Sequence, residues 1–383
     1  MRSARDLARR VHLWLGLSLG MILVLLGITG AALVFYIEID DLIHREVRVE
    51  AAAPAPSWTS PVWDRALATG RGRWPNADGT WSFEVTGKGG SIPARYYPPS
   101  NHQHHHAERE MVWFSGDGRE IVRAEPWGGY LMSWLYELHA NLLAGETGRQ
   151  IAGWSGFAAA ILLVSGVISW WPRGSWHKAL AFKSHAVSIR RLRDLHKLSG
   201  LYSLLLLIVV VVTGAFLALP EVKSQILATA IKAPNPIPAP LSVATNGRQI
   251  SVNHALAAAS RALPEAQLAF IDVPGQGREP FRMRVQVPGD PHRRFPSSFV
   301  FVDQHSGRVL AVHDIRRGNA STIAASWIRT LHDGTVGGVA VRILFAVLGV
   351  VPAFLFITGL LRWSRRLSAR RSVKDVLPVT SRS

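Results

Sequence analysis

Four long apolar runs punctuate the chain: Leu13–Tyr36, Ile151–Trp171, Leu198–Leu219 and Val339–Leu361. Each is close to the roughly 20 residues needed to cross a hydrocarbon core about 30 Å thick. Only Arg342, near one end of the fourth run, puts a charge inside any of them. Between the runs the period of the pattern changes. Pro61–Thr69 reads as a helix, whereas Trp81, Phe83 and Val85 alternate with polar residues as a half-buried strand does. Ile92–Tyr97 predicts another strand, and Met111–Phe114 and Glu120–Ala124 predict a hairpin about the turn Ser115–Gly118. The same order returns later. Asn253–Leu263 predicts a helix, Gln267–Val273 and Phe281–Val287 predict strands, and Ser298–Val302 with Arg308–His313 predicts a second hairpin. Short aromatic helices, Leu131–Leu143 and Ile323–Leu331, follow the two hairpins, and Gly145 to Gly148 are expected to break the first before its crossing.

The expected fold class is an integral membrane α-helical bundle of four transmembrane helices with two external α+β domains, built by internal duplication. The boundaries run 1–37 for the N-terminus and first crossing, 38–130 for the first external domain, and 131–171 for an interfacial helix and second crossing. A basic loop at 172–197 leads to the third crossing at 198–219 and the second external domain at 220–322. An interfacial helix and fourth crossing at 323–363 precede a basic tail at 364–383.

The repeat is visible residue by residue. His12 and His196 both open a His-x-x-x-Gly-Leu sequence, through Gly16-Leu17 and Gly200-Leu201. Thr29-Gly30 and Thr213-Gly214 follow at one common offset. Trp134 and His139 recur as Trp327 and His332, with Gly166 and Trp170 matched by Gly359 and Trp363. Four histidines therefore recur in register, one beside each apolar run.

The chain has 383 residues and a formal net charge of +17, which suits either a nucleic-acid binder or a membrane protein with basic loops. The charge distribution decides between them. The segments 1–11, 172–197 and 362–383 carry +3, +6 and +6, or +15 of the total. Lys and Arg concentrated in short segments between crossings mark the cytoplasmic side. Both termini and the short loop are expected in the cytoplasm of a bacterial inner membrane, with the two long segments outside. A lipid bilayer is then the partner of the basic segments, and no nucleic acid is expected. The first run follows Arg2, Arg5, Arg9 and Arg10 like a signal peptide, but it is too long and lacks a small-residue cleavage site, so an uncleaved helix is expected.

There are no cysteines, which excludes disulfides, iron–sulfur clusters, thiolate metal sites and covalently attached haem. A metal centre must use histidine or carboxylate. Parallel repetition brings His12 and His196 to one depth and His139 and His332 to another. A neutral imidazole binds iron through one ring nitrogen, and two from facing helices can clamp a haem. Gly16, Gly30, Gly200 and Gly214 would let a flat macrocycle or a neighbouring backbone approach. A lone histidine at a helix end is commonly interfacial; the repetition in register favours pairs of ligands. The tryptophans at Trp134, Trp327, Trp170, Trp171 and Trp363 read as interfacial belt residues.

With the His-x-x-x-Gly-Leu starts, the two Thr-Gly pairs, Leu138-His139, Leu331-His332 and the Trp-ended helices together, the chain resembles the PepSY-associated transmembrane proteins over nearly its whole length. The resemblance implies PepSY-like external domains and a link to iron acquisition. It also implies an inner-membrane reductase of ferric-siderophore (ferrioxamine-type) with two haem b, passing electrons out to release ferrous iron. His12, His196, His139 and His332 would then be axial ligands, with Gly16 and Gly200 beside the cofactor. The family name also brings a rival, a regulator of a periplasmic protease or a sensor, and four helices would equally suit an iron-chelate permease.

His102, His104, His105 and His106 form a tract that can bind a divalent metal or remain a polar loop. His177 and His185 lie in the basic loop, where headgroup contact is expected. Arg282, Arg284, Arg293 and Arg294 make the second external segment basic, as expected of a solvated strand face. No Gly-x-Gly-x-x-Gly follows a strand and opens a helix, and no Walker sequence is present. Electrons would therefore come from a separate donor, either a cytoplasmic reductant or a quinone.

Overall fold

The computed structural model describes residues 4–48, 55–99, 109–182, 184, 187–243 and 247–376. The histidine tract at 102–106 and His185 lie outside the described residues.

Helices α1 (Ala4–Leu33), α2 (Tyr36–Ile43), α3 (Val62–Arg73), α4 (Leu131–Asn141), α5 (Gly145–Trp170) and α6 (Trp176–Leu180) belong to the first half of the chain. Helices α7 (Ser188–Ala218), α8 (Pro220–Ala230), α9 (Val252–Ala262), α10 (Ala320–Asp333) and α11 (Gly338–Val376) belong to the second. The strands are β1 (Thr80–Glu84), β2 (Ile92–Tyr97), β3 (Glu110–Phe114), β4 (Ile121–Pro126), β5 (Gln267–Val273), β6 (Phe281–Gln286), β7 (Ser298–Val302) and β8 (Val309–His313). The chain divides into two compact units, one made of the residues up to Val34, Glu137–Pro220 and Leu331 onward, the other of Phe35–Tyr136 and Glu221–Thr330.

In the first unit α1 packs on α5 and α11, and α7 packs on the same two, closing a ring of four. The stretches Ala4–Leu33, Gly145–Trp170, Ser188–Ala218 and Thr335–Ser368 are long and apolar enough to cross a membrane. Helix α7 begins ten residues ahead of its apolar run, because Ser188–Lys197 continues the same helix in polar sequence. His12 and His196 consequently lie two turns inside their helices. Two crossings are close. A Cβ on Gly156 would stand 2.8 Å from the Val211 carbonyl oxygen, and one on Gly349 2.9 Å from Ala31 Cβ, so these backbones meet without side chains between them. The break between α4 and α5 falls at Leu142 and Leu143, both with positive φ, and the helix resumes at Gly145 rather than ending there.

The second unit is built on one antiparallel sheet of eight strands in the order β4-β3-β2-β1-β5-β6-β7-β8. The two segments expected to form separate small domains each supply four adjacent strands. They join through β1 and β5, with Trp81 opposite Val273 and Phe83 opposite Ile271. Helices α3 and α9 contribute Val62, Trp63, Ala66, Val252, Leu256 and Ala259 to a core shared with strand residues Trp81, Phe83, Phe114, Ile271, Phe281 and Met283. Asp64 of α3 accepts from the Val252 and Asn253 amides at 2.7 and 3.2 Å, capping the start of α9.

Candidate functional site

The four repeat-matched histidines meet as two pairs in the helical unit. The ring centres of His12 and His196 are 6.1 Å apart, with planes at 85°. Those of His139 and His332 are also 6.1 Å apart, with planes at 42°. His139 and His332, carried on α4 and α10, reach the crossing helices directly. His139 bonds the Leu26 carbonyl of α1 at 3.0 Å and His332 the Val210 carbonyl of α7 at 3.1 Å. The pairs are set apart along α1 by the 14 residues from His12 to Leu26, or roughly 21 Å at the α-helical rise.

One local device holds all four rings. His12 Nδ1 bonds the Leu162 carbonyl and His196 Nδ1 the Leu355 carbonyl, each at 3.0 Å. In every case the residue three positions after that carbonyl carries a hydroxyl, and the next is glycine: Ser165-Gly166, Thr358-Gly359, Thr29-Gly30 and Thr213-Gly214. The glycine makes room for the ring. A Cβ would stand 2.9 Å from His12 Cε1 at Gly166, 3.4 Å from His196 Cε1 at Gly359, 3.0 Å from His139 Cε1 at Gly30 and 2.8 Å from His332 Cε1 at Gly214.

The hydroxyls fix the rings' protons. Thr29 already donates to the Leu25 carbonyl at 2.7 Å, so at 3.1 Å from His139 Nδ1 it can only accept. Thr213 and Thr358 donate to Val209 and Phe354 and stand 3.4 and 3.1 Å from His332 and His196 Nδ1. Ser165 instead donates to the Leu162 carbonyl itself, leaving that oxygen as His12's acceptor. Carbonyl oxygens accept only, so each Nδ1 carries the proton and each neutral ring presents its lone pair on Nε2. A backbone acceptor behind the ring is the usual support of a metal-bound imidazole.

A metal bonded to two facing imidazoles, at about 2 Å from each nitrogen, holds the ring centres roughly 6 Å apart. Both pairs meet that requirement. Among the described residues no three His, Asp or Glu side chains converge on one point. Two nitrogens alone do not complete an iron coordination sphere, and a macrocycle supplying four more does. The residues present therefore fit bis-imidazole ligation of haem.

Gly16 and Gly200 take a different place. A Cβ there would meet only Leu162 Cδ1 at 3.8 Å and Leu355 Cδ2 at 3.5 Å, which is ordinary contact. The close approaches are at Gly166 and Gly359, whose recurrence is visible in sequence but whose facing rings are not. His177 on α6 is exposed and apart from both pairs. Of the arginines of the second half, Arg282 and Arg293 are exposed as expected, whereas Arg284 and Arg294 are partly buried. Arg294 bonds buried Glu84 at 2.6 and 3.0 Å, Arg282 pairs with Asp272, and Arg284 stacks on Phe299.

Four crossing helices with paired, backbone-held histidines and an added antiparallel sheet define a multi-pass membrane protein. Residues 9–366 match the PepSY-associated TM region family, and the chain belongs to it. No curated protein matches the chain.

Proposed function

We propose that this protein is a bis-haem reductase of the bacterial inner membrane that delivers electrons to a ferric siderophore outside and releases ferrous iron. The observation that carries this reading is the pair of imidazole couples, each with ring centres 6.1 Å apart. His12 and His196 would hold one haem b, and His139 and His332 a second. Bound there, haem b supplies one-electron chemistry at either end of the bundle.

The chain's own contribution is positional. The carbonyls of Leu162, Leu355, Leu26 and Val210 aim the rings and keep the proton on Nδ1. The four glycines let the rings seat against helix backbone. Each ferric ion takes one electron, supplied by a cytoplasmic reductant or a membrane quinol. The concentration of Lys and Arg in the short segments supports a cytoplasmic side for His12, His196 and both termini, and a periplasmic side for His139 and His332. The exact offsets between matched residues support descent of the two halves from one duplicated unit, and the sheet segments are then two PepSY-like repeats.

Purified protein from haem-replete cells is expected to show a reducible b-type spectrum with two haems per chain. His196→Ala is expected to remove one haem and leave the other. A colourless wild-type protein would leave a regulator of a periplasmic protease or a permease as the better account.

A further inference from the structure

The two halves of the sheet carry residues at matched positions, and one arginine loses its partner between them. Ser82 stands opposite Arg95 as Phe270 stands opposite Arg284, so Glu84 and Asp272 are also matched. In the first half Glu84 accepts from Arg95 at 3.2 Å. In the second half both oxygens of Asp272 are taken elsewhere, one by Ser82 at 2.6 Å and the other by Arg282 at 2.7 Å. Pro93 holds the position matched to Arg282 and makes no such claim on Glu84. Arg284 is thus left without the carboxylate its counterpart has. Its Nε is buried and has no hydrogen-bond partner. The guanidinium lies instead 5.0 Å from the Phe299 ring centre and 5.9 Å from that of Phe295.

Two more cations gather there. The Arg329 guanidinium of α10 lies 5.0 Å from the same Phe295 ring, and Lys223 of α8 is near enough to Arg329 to feel its charge. Among the described residues, none of the Lys223, Arg284 and Arg329 side chains makes a hydrogen bond or an ion pair. Burial lowers Arg284 to about 10, and burial with the charge of Arg329 lowers Lys223. Asp272 and the exposed Glu221 act in the opposite sense and do not cancel this. Aromatic rings offset part of the cost of a desolvated guanidinium but satisfy none of its N–H groups in the plane of the fork. Nor does the fold require these cations. At the interval between His139 and His332, Tyr136 matches Arg329; at the interval between His12 and His196, Ile39 matches Lys223.

Three partly buried cations without counter-ions suit an anion that can take several hydrogen bonds at once. All three belong to the sheet unit, and Arg329 stands one turn before His332 on α10. We propose that Lys223, Arg284 and Arg329, beside the Phe295 and Phe299 rings, form the binding site for the ferric chelate and select one that is negatively charged. This rests on the reductase reading above and narrows its substrate. Three hydroxamates, each singly negative, only neutralise a ferric ion. Catecholates are doubly negative, so three of them leave an excess of negative charge on oxygens that guanidinium and ammonium groups can reach. The site therefore favours a catecholate-type chelate over the hydroxamate type.

The test measures binding to the purified full-length protein by calorimetry. The probes are the gallium(III) tris-catecholate and tris-hydroxamate complexes, which match the charges of the ferric complexes and are not reduced. Wild type is expected to bind the tris-catecholate tighter by about tenfold or more. Lys223→Gln and Arg329→Gln should each weaken that complex about tenfold and leave the tris-hydroxamate unchanged. Arg284→Gln should do the same, and if it fails to fold the other two variants decide. Equal affinity for the two probes overturns the proposal, as does tris-catecholate binding that ignores both folded variants. An altered haem spectrum in Arg329→Gln with unchanged chelate binding assigns that arginine to the cofactor and also overturns it. Haem content is read on the same preparations. A colourless protein that still selects the tris-catecholate overturns the reductase reading and keeps the site, whereas a haem-loaded protein without that selectivity overturns the site alone.

Discussion

Each of the four histidine rings is seated by a carbonyl and a glycine spaced along one helix, three of them with a threonine hydroxyl beside Nδ1 as well, and the glycine is the least replaceable of these. At Gly214 a methyl group would stand 2.8 Å from His332 Cε1, on a ring already fixed at Nδ1. Gly214→Ala is therefore expected to lower the haem-to-protein ratio from two toward one. Gly16→Ala should leave it at two, because its methyl group would meet only Leu162 Cδ1 at 3.8 Å. The measurement is haem content per chain after identical purification, and equal loss in both variants would contradict the assignment of Gly214 to the ring. Thr213→Val should cost little, about 1 kcal/mol, since the Val210 carbonyl still receives the proton. The histidines themselves are legible in the sequence because they recur in register. Their holders are harder to read. A carbonyl leaves no trace in residue type, and Ser165-Gly166 and Thr358-Gly359 acquire meaning only from rings far away in sequence. Gly16 and Gly200 recur just as faithfully, yet they face Leu162 and Leu355 side chains at ordinary contact. Recurrence locates the site without saying which residue touches what.

At the scale of elements, apolar runs mark the hydrocarbon-facing part of a helix and understate its length. Helix α7 extends through Arg190, Arg191 and Arg193 before its run begins, because straight-chain basic residues favour helix and can reach back toward polar surroundings. Strands are legible where their faces are plain: Ile92–Tyr97, Gln267–Val273 and Ser298–Val302 fall where alternation and turns put them. Strand β1 departs from alternation. Ser82 and Glu84, polar and expected outside, are buried because Asp272 accepts from Ser82 at 2.6 Å and two arginines flank Glu84. Burial alone would raise the Glu84 carboxyl, but Arg294 and Arg95 outweigh it and hold it below the usual carboxylate range. A carboxyl depressed in the folded state adds stability above its unfolded pKa and loses it as pH falls through the folded value. The sheet unit is accordingly expected to keep its stability near neutral pH and to weaken on acidification below about 4. Glu84→Gln should cost roughly 3 kcal/mol by stranding two guanidiniums, and should flatten that acid dependence. Denaturant unfolding followed by tryptophan fluorescence at several pH values checks both.

At the scale of the whole molecule, the charge asymmetry yields a topology, and the topology is testable without knowledge of function. A reporter active only in the cytoplasm, fused after Ser383 or inserted at Gly174, is expected to be active, and one inserted at Gly87 to be silent; the reverse pattern would invert the proposed direction of electron flow. The number of crossings was legible because hydrocarbon thickness sets their length. The single sheet was not, because nothing in the alternation of either segment says that β1 will pair with β5 across nearly 200 residues. That pairing, and the ring pairs, share one property: each joins a residue from one half to a residue from the other. A chain of half this length would own one ligand of each site and would need a second copy to finish it. Covalent linkage makes that encounter independent of how sparse the protein is in its membrane. It also relaxes a constraint. Identical subunits must give both ligands of a site the same surroundings, whereas here His196 has Thr358 beside its Nδ1 and His12 has only a carbonyl. If the pair holds one haem iron, as proposed, its two rings can thus be tuned separately, a freedom closed to a symmetric pair.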